Sequence, residues 1–352
     1  MYKKARNKII QEDLDSIIAW DLEWSKLEGK TILVTGANGF LPAYMVETIL
    51  YLNETKFKNR ATIIALVRNI DKARRRFDFY SERNDIDFLV QDVCDPINLT
   101  EKIDFIIHAA SQASPKYYGV DPVGTYRPNV IGTNNLLQLA YKNAVESFLY
   151  FSSGEVYGNV VASQIPTKED DYGYIDPTSV RSCYGESKRM GENMCISWAH
   201  QYGIPVKIIR PFHTYGPGMQ LDDGRVYADF VADVINNRNI VMKGDGSSVR
   251  AFCYIMDATI AFFTVLFRGG KGEAYNIGNP DGEIRILDLA QTLANLFPSK
   301  MLKVISNSNI ESSYLINHIT RSCPNSTKIN SLGWKAKVGI IEGFSKTIRS
   351  YE

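Results

Sequence analysis

Cysteine is scarce and scattered in this 352-residue chain: five residues, Cys94, Cys183, Cys195, Cys253 and Cys323, and no CxxC pair. An odd number at such spacings argues against a disulfide framework and a zinc cluster, and suits a reducing compartment. An excess of charge of either sign is missing too. Forty basic residues stand against 39 acidic ones, a net charge of +1, so nothing points to a nucleic-acid or membrane-surface partner. The longest apolar stretch, near Ile255–Phe267, contains Asp257 and falls short of a bilayer. The basic start of the chain runs into acidic residues before an apolar signal segment forms. What remains is an ordinary globular composition, 45% hydrophobic and 22% charged, without repeats or low-complexity linkers. The expectation is a soluble, cytoplasmic protein without a metal.

Residues 1–28 read as an amphipathic helical extension, with Leu14, Ile17, Ile18, Leu22 and Trp24 on or near one face. A helix packed on the main domain, or on a partner subunit, fits this pattern better than a catalytic role. From Gly29 onward, short apolar runs alternate with helical stretches. Strands are expected at Thr31–Val34, Thr62–Val67, Asp87–Val90, Phe105–His108, Phe148–Phe151 and Val206–Arg210, with helices such as Ala43–Leu52 and Gly132–Lys142 between them. That alternation predicts an α/β fold, a Rossmann-like doubly wound parallel sheet, over residues 29–210. Past Pro211 the rhythm loosens into Gly- and Pro-rich turns. Residues 211–352 are therefore assigned mainly to a smaller C-terminal substrate-binding domain, with some segments returning to the first. Ligands of such folds lie beyond the carboxyl ends of the strands.

The first strand runs into Gly36-Ala37-Asn38-Gly39-Phe40-Leu41-Pro42, and a helix follows. Here backbone N–H groups and a helix N-terminus can approach a pyrophosphate, which makes Gly36, Asn38, Gly39, Phe40 and Leu41 candidate cofactor contacts. A tight turn without a ligand is the competing reading. Pro42 stands where a GxxGxxG pattern would place a third glycine. Proline is tolerated in the first turn of a helix, and that glycine serves helix–strand packing rather than phosphate contact. Arg68, ending the second strand, fits either a 2′-phosphate and hence NADP, or stacking on adenine and hence NAD. Asp92 and Val93, after the third strand, are candidate adenine contacts, with an ordinary turn aspartate as the alternative.

Tyr184 and Lys188 stand four apart, on one face of a helix. An ammonium beside a phenol favours the phenolate and pulls the tyrosine down from about 10. A tyrosine so tuned can take a proton from a sugar hydroxyl while hydride leaves for a nicotinamide. About thirty residues upstream lies Phe151-Ser152-Ser153-Gly154-Glu155-Val156-Tyr157-Gly158. This combination resembles the extended short-chain dehydrogenase/reductase superfamily, which modifies nucleotide sugars, over roughly residues 29 to 345. Within it, Ala113–Tyr118, Cys183–Arg189, Thr214–Pro217, Asp223–Val226, Arg250–Phe252 and Asn276–Pro280 look most like the UDP-glucuronate decarboxylase branch.

The resemblance implies roles position by position. Ser153 matches the hydroxyl that hydrogen-bonds the sugar O4, Tyr184 the general base, and Lys188 the residue that binds nicotinamide ribose and tunes the tyrosine. Glu155 matches the acidic group near C5. Tyr117, Asn129, Arg225 and Arg250 match residues on the substrate side, with a surface ion pair or a helix cap as the plain alternative for the last three. Ala109, Ala110 and Ser111 match backbone that passes along the cofactor. The implied activity is redox-neutral modification of a nucleotide-diphosphate sugar by transient C4 oxidation with NAD, and the implied assembly is a homodimer through the Tyr184 helix.

Three positions depart from the decarboxylases. Gly154 replaces a polar residue before Glu155, His213 stands in place of a substrate-touching asparagine, and Gly218 in place of an arginine. Gly154 removes the acid that an Asp-Glu 4,6-dehydratase uses on its leaving group, whereas CO2 departure needs no such acid. The leading expectation is a UDP-glucuronate decarboxylase-like enzyme, the alternatives a 4,6-dehydratase, an epimerase, or a binding protein that has lost turnover. Replacing Tyr184 by Phe separates enzyme from binder: turnover falls by roughly 100-fold or more, while nucleotide-sugar binding measured by calorimetry holds.

Overall fold

The computed structural model describes residues 6–307 and 319–352. The first helix, α1 (Lys8–Ile18), is capped by Asn7, whose side-chain oxygen accepts from the backbone N–H of Ile9 and Ile10. The chain then alternates through β1 (Thr31–Thr35), α2 (Phe40–Thr55), β2 (Thr62–Val67), α3 (Ile70–Arg76), β3 (Ile86–Val90), β4 (Phe105–His108), α4 (Pro122–Arg127), α5 (Thr133–Asn143), β5 (Ser147–Phe151), α6 (Cys183–Tyr202) and β6 (Val206–Pro211). Each expected strand is present, with bounds shifted by at most one residue. The second half comprises β7 (His213–Tyr215), α7 (Val226–Ile235), β8 (Ile240–Lys243), β9 (Val249–Tyr254), α8 (Ile255–Arg268), β10 (Glu273–Ile277), β11 (Glu283–Arg285), α9 (Ile286–Leu296), β12 (Val304–Asn307), β13 (Arg321–Ser322), α10 (Thr327–Asn330) and α11 (Ile340–Arg349).

Seven strands form one sheet in the order β10-β6-β5-β4-β1-β2-β3, and every neighbouring pair is parallel. Helices cover its faces, as the buried, nearly all-apolar strands require. The strand order reverses between β1 and β4, which opens a crevice at their carboxyl ends. The seventh strand, β10, returns from the second half of the chain and was not among the expected strands. It starts on Glu273 and carries Asn276, so its apolar residues are interrupted.

The apolar run at Ile255–Phe267 proves to be most of α8, buried along that whole length and packed under β5, β6 and β10. Its Asp257 carboxylate accepts from the backbone N–H of Lys337 and Val338 at 2.9 and 2.8 Å, which ties down the segment before α11. The smaller sheet sets β11 and β13 on either side of β9, with β7 also paired to β9. It brings His213 and Arg250 over the crevice side of the large sheet. Among the described residues, no helix is long and apolar enough to cross a membrane.

The N-terminal extension packs on α2 and α8 through the face expected for it: Leu14, Ile17, Ile18, Leu22 and Trp24 are all buried. Asp13, fully buried on that face, accepts from the hydroxyls of Tyr44 at 3.2 Å and Tyr254 at 2.8 Å and from Lys346 Nζ at 3.0 Å. One carboxylate thus joins α1, α2, the end of β9 and α11. Removing it strands three donors in an apolar setting, which costs about 3–5 kcal/mol for a buried pair broken on one side. Asp13→Ala is expected to lose stability on that scale in urea unfolding.

Candidate active site

At the end of β1 the backbone turns at Gly36 with φ +64°, where a Cβ would lie 2.9 Å from the Ala110 Cα. Only glycine permits both that conformation and that approach. Gly39 then caps α2 at its N-terminus. Pro42 falls inside the first turn, where an N–H has no intrahelical partner, so the helix tolerates it. Thr35 and Ala110 close the turn from the other side, with Ala110 N–H donating to Thr35 Oγ1 at 3.1 Å. Arg68 and Asp92, ending β2 and following β3, face each other at 3.9 Å and are solvent-accessible. Val93 is buried against Gly132, and Ser111 Oγ is buried with no protein partner among the described residues. The close glycine turn, the free helix N-terminus and the orphaned Ser111 hydroxyl fit a dinucleotide lying across β1 and β4.

The chemistry-bearing side chains converge on the other side of this crevice. Ser153 follows β5 and opens a short turn, Gly154–Tyr157, with its Oγ accepting from Glu155 N–H. Tyr184 and Lys188 lie on the first turns of α6, buried to 6% and 2% exposure. Burial raises the Tyr184 phenol to about 12. A hydrogen bond from Ser153 and the positive charges of Arg225 and Arg181 act against that rise, and Glu155 adds to it. Burial likewise pushes Lys188 down to about 7, opposed by Glu192. The lysine's Nζ donates to the Phe151 carbonyl at 2.6 Å and sits 5.8 Å from the Tyr184 ring centre. The spacing expectation that Lys188 lowers the tyrosine is thus replaced by a different balance: burial dominates both groups, and the lysine faces a carbonyl.

Behind the pair runs a directed chain of hydrogen bonds. Thr133 Oγ1 donates to the Asn129 carbonyl at 2.6 Å, so it can only accept from His108 Nε2, 3.0 Å away. His108 is therefore the Nε2–H tautomer, and its Nδ1 accepts from Thr35 Oγ1 at 2.9 Å. Asn129, fully buried in the π-type turn Pro128–Gly132, donates its amide to Ser187 Oγ on α6 at 2.9 Å. The structure places Asn129 behind α6, where it orients the helix.

On the substrate side, Arg225 starts α7, paired with Asp223 at 2.7 Å and donating to the Ala113 carbonyl. Arg250 on β9 donates to the carbonyls of Val249, Ile319 and Thr320. His213 points its Nε2 into the protein with no partner among the described residues. Burial, then Arg250 and Arg225, hold it neutral down to about 3. Tyr117 is 38% exposed, while its neighbour Tyr118 is buried and stacks on Tyr184 at 5.2 Å between ring centres. At Gly154 a Cβ would press on the Phe212 ring at 3.3 Å, so the aromatic ring fills the space beside the glycine. Arg181, three residues before Tyr184, pairs with Glu155 at 3.2 Å. Sequence reasoning singled out neither Arg181 nor the Tyr118 stack; Arg181 lies in the turn before α6, so helical spacing gives no signal for it. A cavity of about 630 Å3 lies elsewhere, between Lys168–Tyr172, α6 and β10. The buried arginine in its wall, Arg210, is held by Glu192, Tyr157 and Tyr172.

A dinucleotide cradle facing a Ser/Tyr/Lys cluster on a doubly wound sheet defines a nicotinamide-dependent enzyme of the short-chain dehydrogenase type. Residues 32–278 match the model of the NAD dependent epimerase/dehydratase family, and the chain belongs to that family. It is 33% identical over 314 residues to UDP-glucuronic acid decarboxylase 6 of Arabidopsis thaliana, covering 89% of this chain and 86% of that one. It is 30% identical to UDP-glucuronic acid decarboxylase 1 of Danio rerio, over 93% of this chain and 74% of the relative. Among solved structures the fold is shared with UDP-glucose 4-epimerase of Thermotoga maritima, at TM-score 0.76 and 23% identity over 91% of this chain and 98% of that one. It is shared equally with dTDP-glucose 4,6-dehydratase of Bacillus anthracis in complex with NAD, at TM-score 0.74 and 22% identity over 92% and 96%.

His108 is fully buried and stays neutral down to about 3, chiefly through desolvation and then through the charge of Lys188, whereas its ordinary value is 6.5. An unfolded chain therefore binds a proton that the folded chain does not between these values, and stability is lost as pH falls through that window. Each such histidine adds a slope of about 1.4 kcal/mol per pH unit. Urea unfolding from pH 6.5 to 4 should show a shallower slope in His108→Asn than in the wild type.

Proposed function

We propose that the chain decarboxylates a UDP-linked uronic acid, UDP-glucuronate first among them, to the corresponding pentose. The observation that carries this reading is the assembly of Ser153, Tyr184 and Lys188 beside Glu155 and its cation Arg181, in a chain related along most of its length to UDP-glucuronic acid decarboxylases. One group is supplied from outside the chain: NAD, which takes hydride from C4 and returns it. Gly36, Asn38, Gly39, Phe40, Leu41, Arg68, Asp92, Val93, Ala109, Ala110, Ser111, Tyr184 and Lys188 hold it. The negative Asp92 beside Arg68 opposes a 2′-phosphate and favours NAD over NADP.

Ser153 holds the sugar O4, and Tyr184 takes its proton as hydride leaves C4; burial holds the phenol above its ordinary value, and the Ser153 hydrogen bond and the flanking arginines offset part of that rise. With C4 a ketone, the C6 carboxylate is β to a carbonyl. CO2 departs, and its electrons pass into an enolate. A water held by the Glu155 carboxylate gives C5 its proton, and the proton on Tyr184 goes back to O4 when C4 is reduced again. Tyr117, His213, Arg225 and Arg250 contact the substrate, and Asn129 positions α6. Gly154 leaves no acid for a departing C6 hydroxyl, which favours decarboxylation over dehydration.

The proposal includes a cytoplasmic homodimer. Tyr126, Ile131, Tyr141, Met190, Ile196 and Tyr202 are exposed on and around α4, α5 and α6, an apolar surface that a second copy would cover. The reading is tested by an NMR time course of NAD-loaded protein with UDP-glucuronate. UDP-xylose and CO2 are expected. No conversion by folded, loaded protein rejects the substrate assignment.

A further inference from the structure

The arginines of the crevice differ in how much of their hydrogen-bonding capacity the protein uses. Arg225 is held by Asp223 and a carbonyl, and Arg250 by three carbonyls. Arg181, in the tight turn Val180–Ser182 that leads into α6, has one hydrogen-bond partner among the described residues, the Glu155 carboxylate at 3.2 Å from Nη2. That contact is long for a charge-assisted hydrogen bond, whose usual range is about 2.7–2.9 Å. Its remaining N–H groups are reachable from solvent, since none is a buried unpaired atom and the side chain is 20% exposed.

The guanidinium is nevertheless fixed in place. It lies 4.8 Å from the centre of the Tyr118 ring, and Tyr118, buried, stacks on Tyr184 at an interplanar angle of 14°. A guanidinium held over an aromatic ring gains cation–π attraction without using its N–H donors. The cation is thus registered against the tyrosine base through one intervening ring and against Glu155 by a direct contact.

Resting on the proposed reaction, we infer that Arg181 is the residue that selects a carboxylated sugar, binding the C6 carboxylate with the donors that Glu155 leaves free. Glu155 stands next to C5 in that reaction, so a group in contact with Glu155 is within reach of C6. A C6 carboxylate brought beside Glu155 meets a like charge, and a planar guanidinium between the two is the arrangement that accepts both. A neutral C6 hydroxymethyl group has no such need.

The test compares two probes that differ at C6, UDP-glucuronate and UDP-glucose, bound to NAD-loaded protein in calorimetric titrations. Arg181→Gln is expected to weaken UDP-glucuronate by about 10-fold or more, the scale for losing a hydrogen-bonded charged partner. UDP-glucose is expected to change by less than about 3-fold. Arg181→Lys, which restores the charge without the fork, should recover part of the uronate affinity. Equal weakening of both probes, or no change in either, overturns the inference. Should Arg181→Gln fail to give the wild-type melting profile, the lysine variant carries the same comparison, and parallel loss of both probes is again the overturning result. Failure of the proposed function is distinct: it shows as no conversion of UDP-glucuronate by the wild type.

Discussion

A lysine and a tyrosine buried side by side on one helix are the constraint around which this active region is arranged. Desolvation drives both groups toward their neutral forms, and each needs partners that a packed interior supplies sparingly. Lys188 takes the Phe151 carbonyl at the carboxyl end of β5, so the sheet itself holds the amine. Gly191, one turn on, has no side chain because the Tyr150 hydroxyl occupies that space, 2.0 Å from where a Cβ would stand. The close packing of α6 on β5 follows, and with it the position of Tyr184 beside Ser153.

The hydrogen-bond chain through His108 extends the same constraint to the cofactor side. Its members sit on β1, β4, α5 and the turn before it, and it ends on Ser187 of α6. Thr35 directly precedes Gly36, so the glycine turn and α6 are braced through one neutral imidazole. Two surfaces of a single crevice are thereby held in register by buried groups behind them.

Much of this was legible in the residues. The six expected strands are dense apolar runs, and buried parallel strands announce themselves that way. The amphipathic face of α1 was readable because its apolar residues recur at helical spacing. The strand β10 escaped because Glu273 and Asn276 interrupt its apolar residues, and Asn276 has its own buried partners in the Tyr157 hydroxyl and the Thr167 carbonyl. The Tyr184–Lys188 pair was visible from a four-residue spacing, but spacing carries no information on burial, and burial sets both groups. Arg181, Glu155 and Tyr118 come from three separate turns, and their contact exists only once the sheet has brought those turns together. Phe212 filling the space at Gly154 belongs to the same class of long-range fact.

The carboxylate of Asp13 has a consequence for the order in which the molecule can assemble. Its cationic partner, Lys346, lies 333 positions further along the chain. Contacts of such separation are the slowest to close, because the loop entropy is lost before the contact is gained. The two ends of the chain thus meet on one buried carboxylate, so α1 and α11 each depend on the other for that contact.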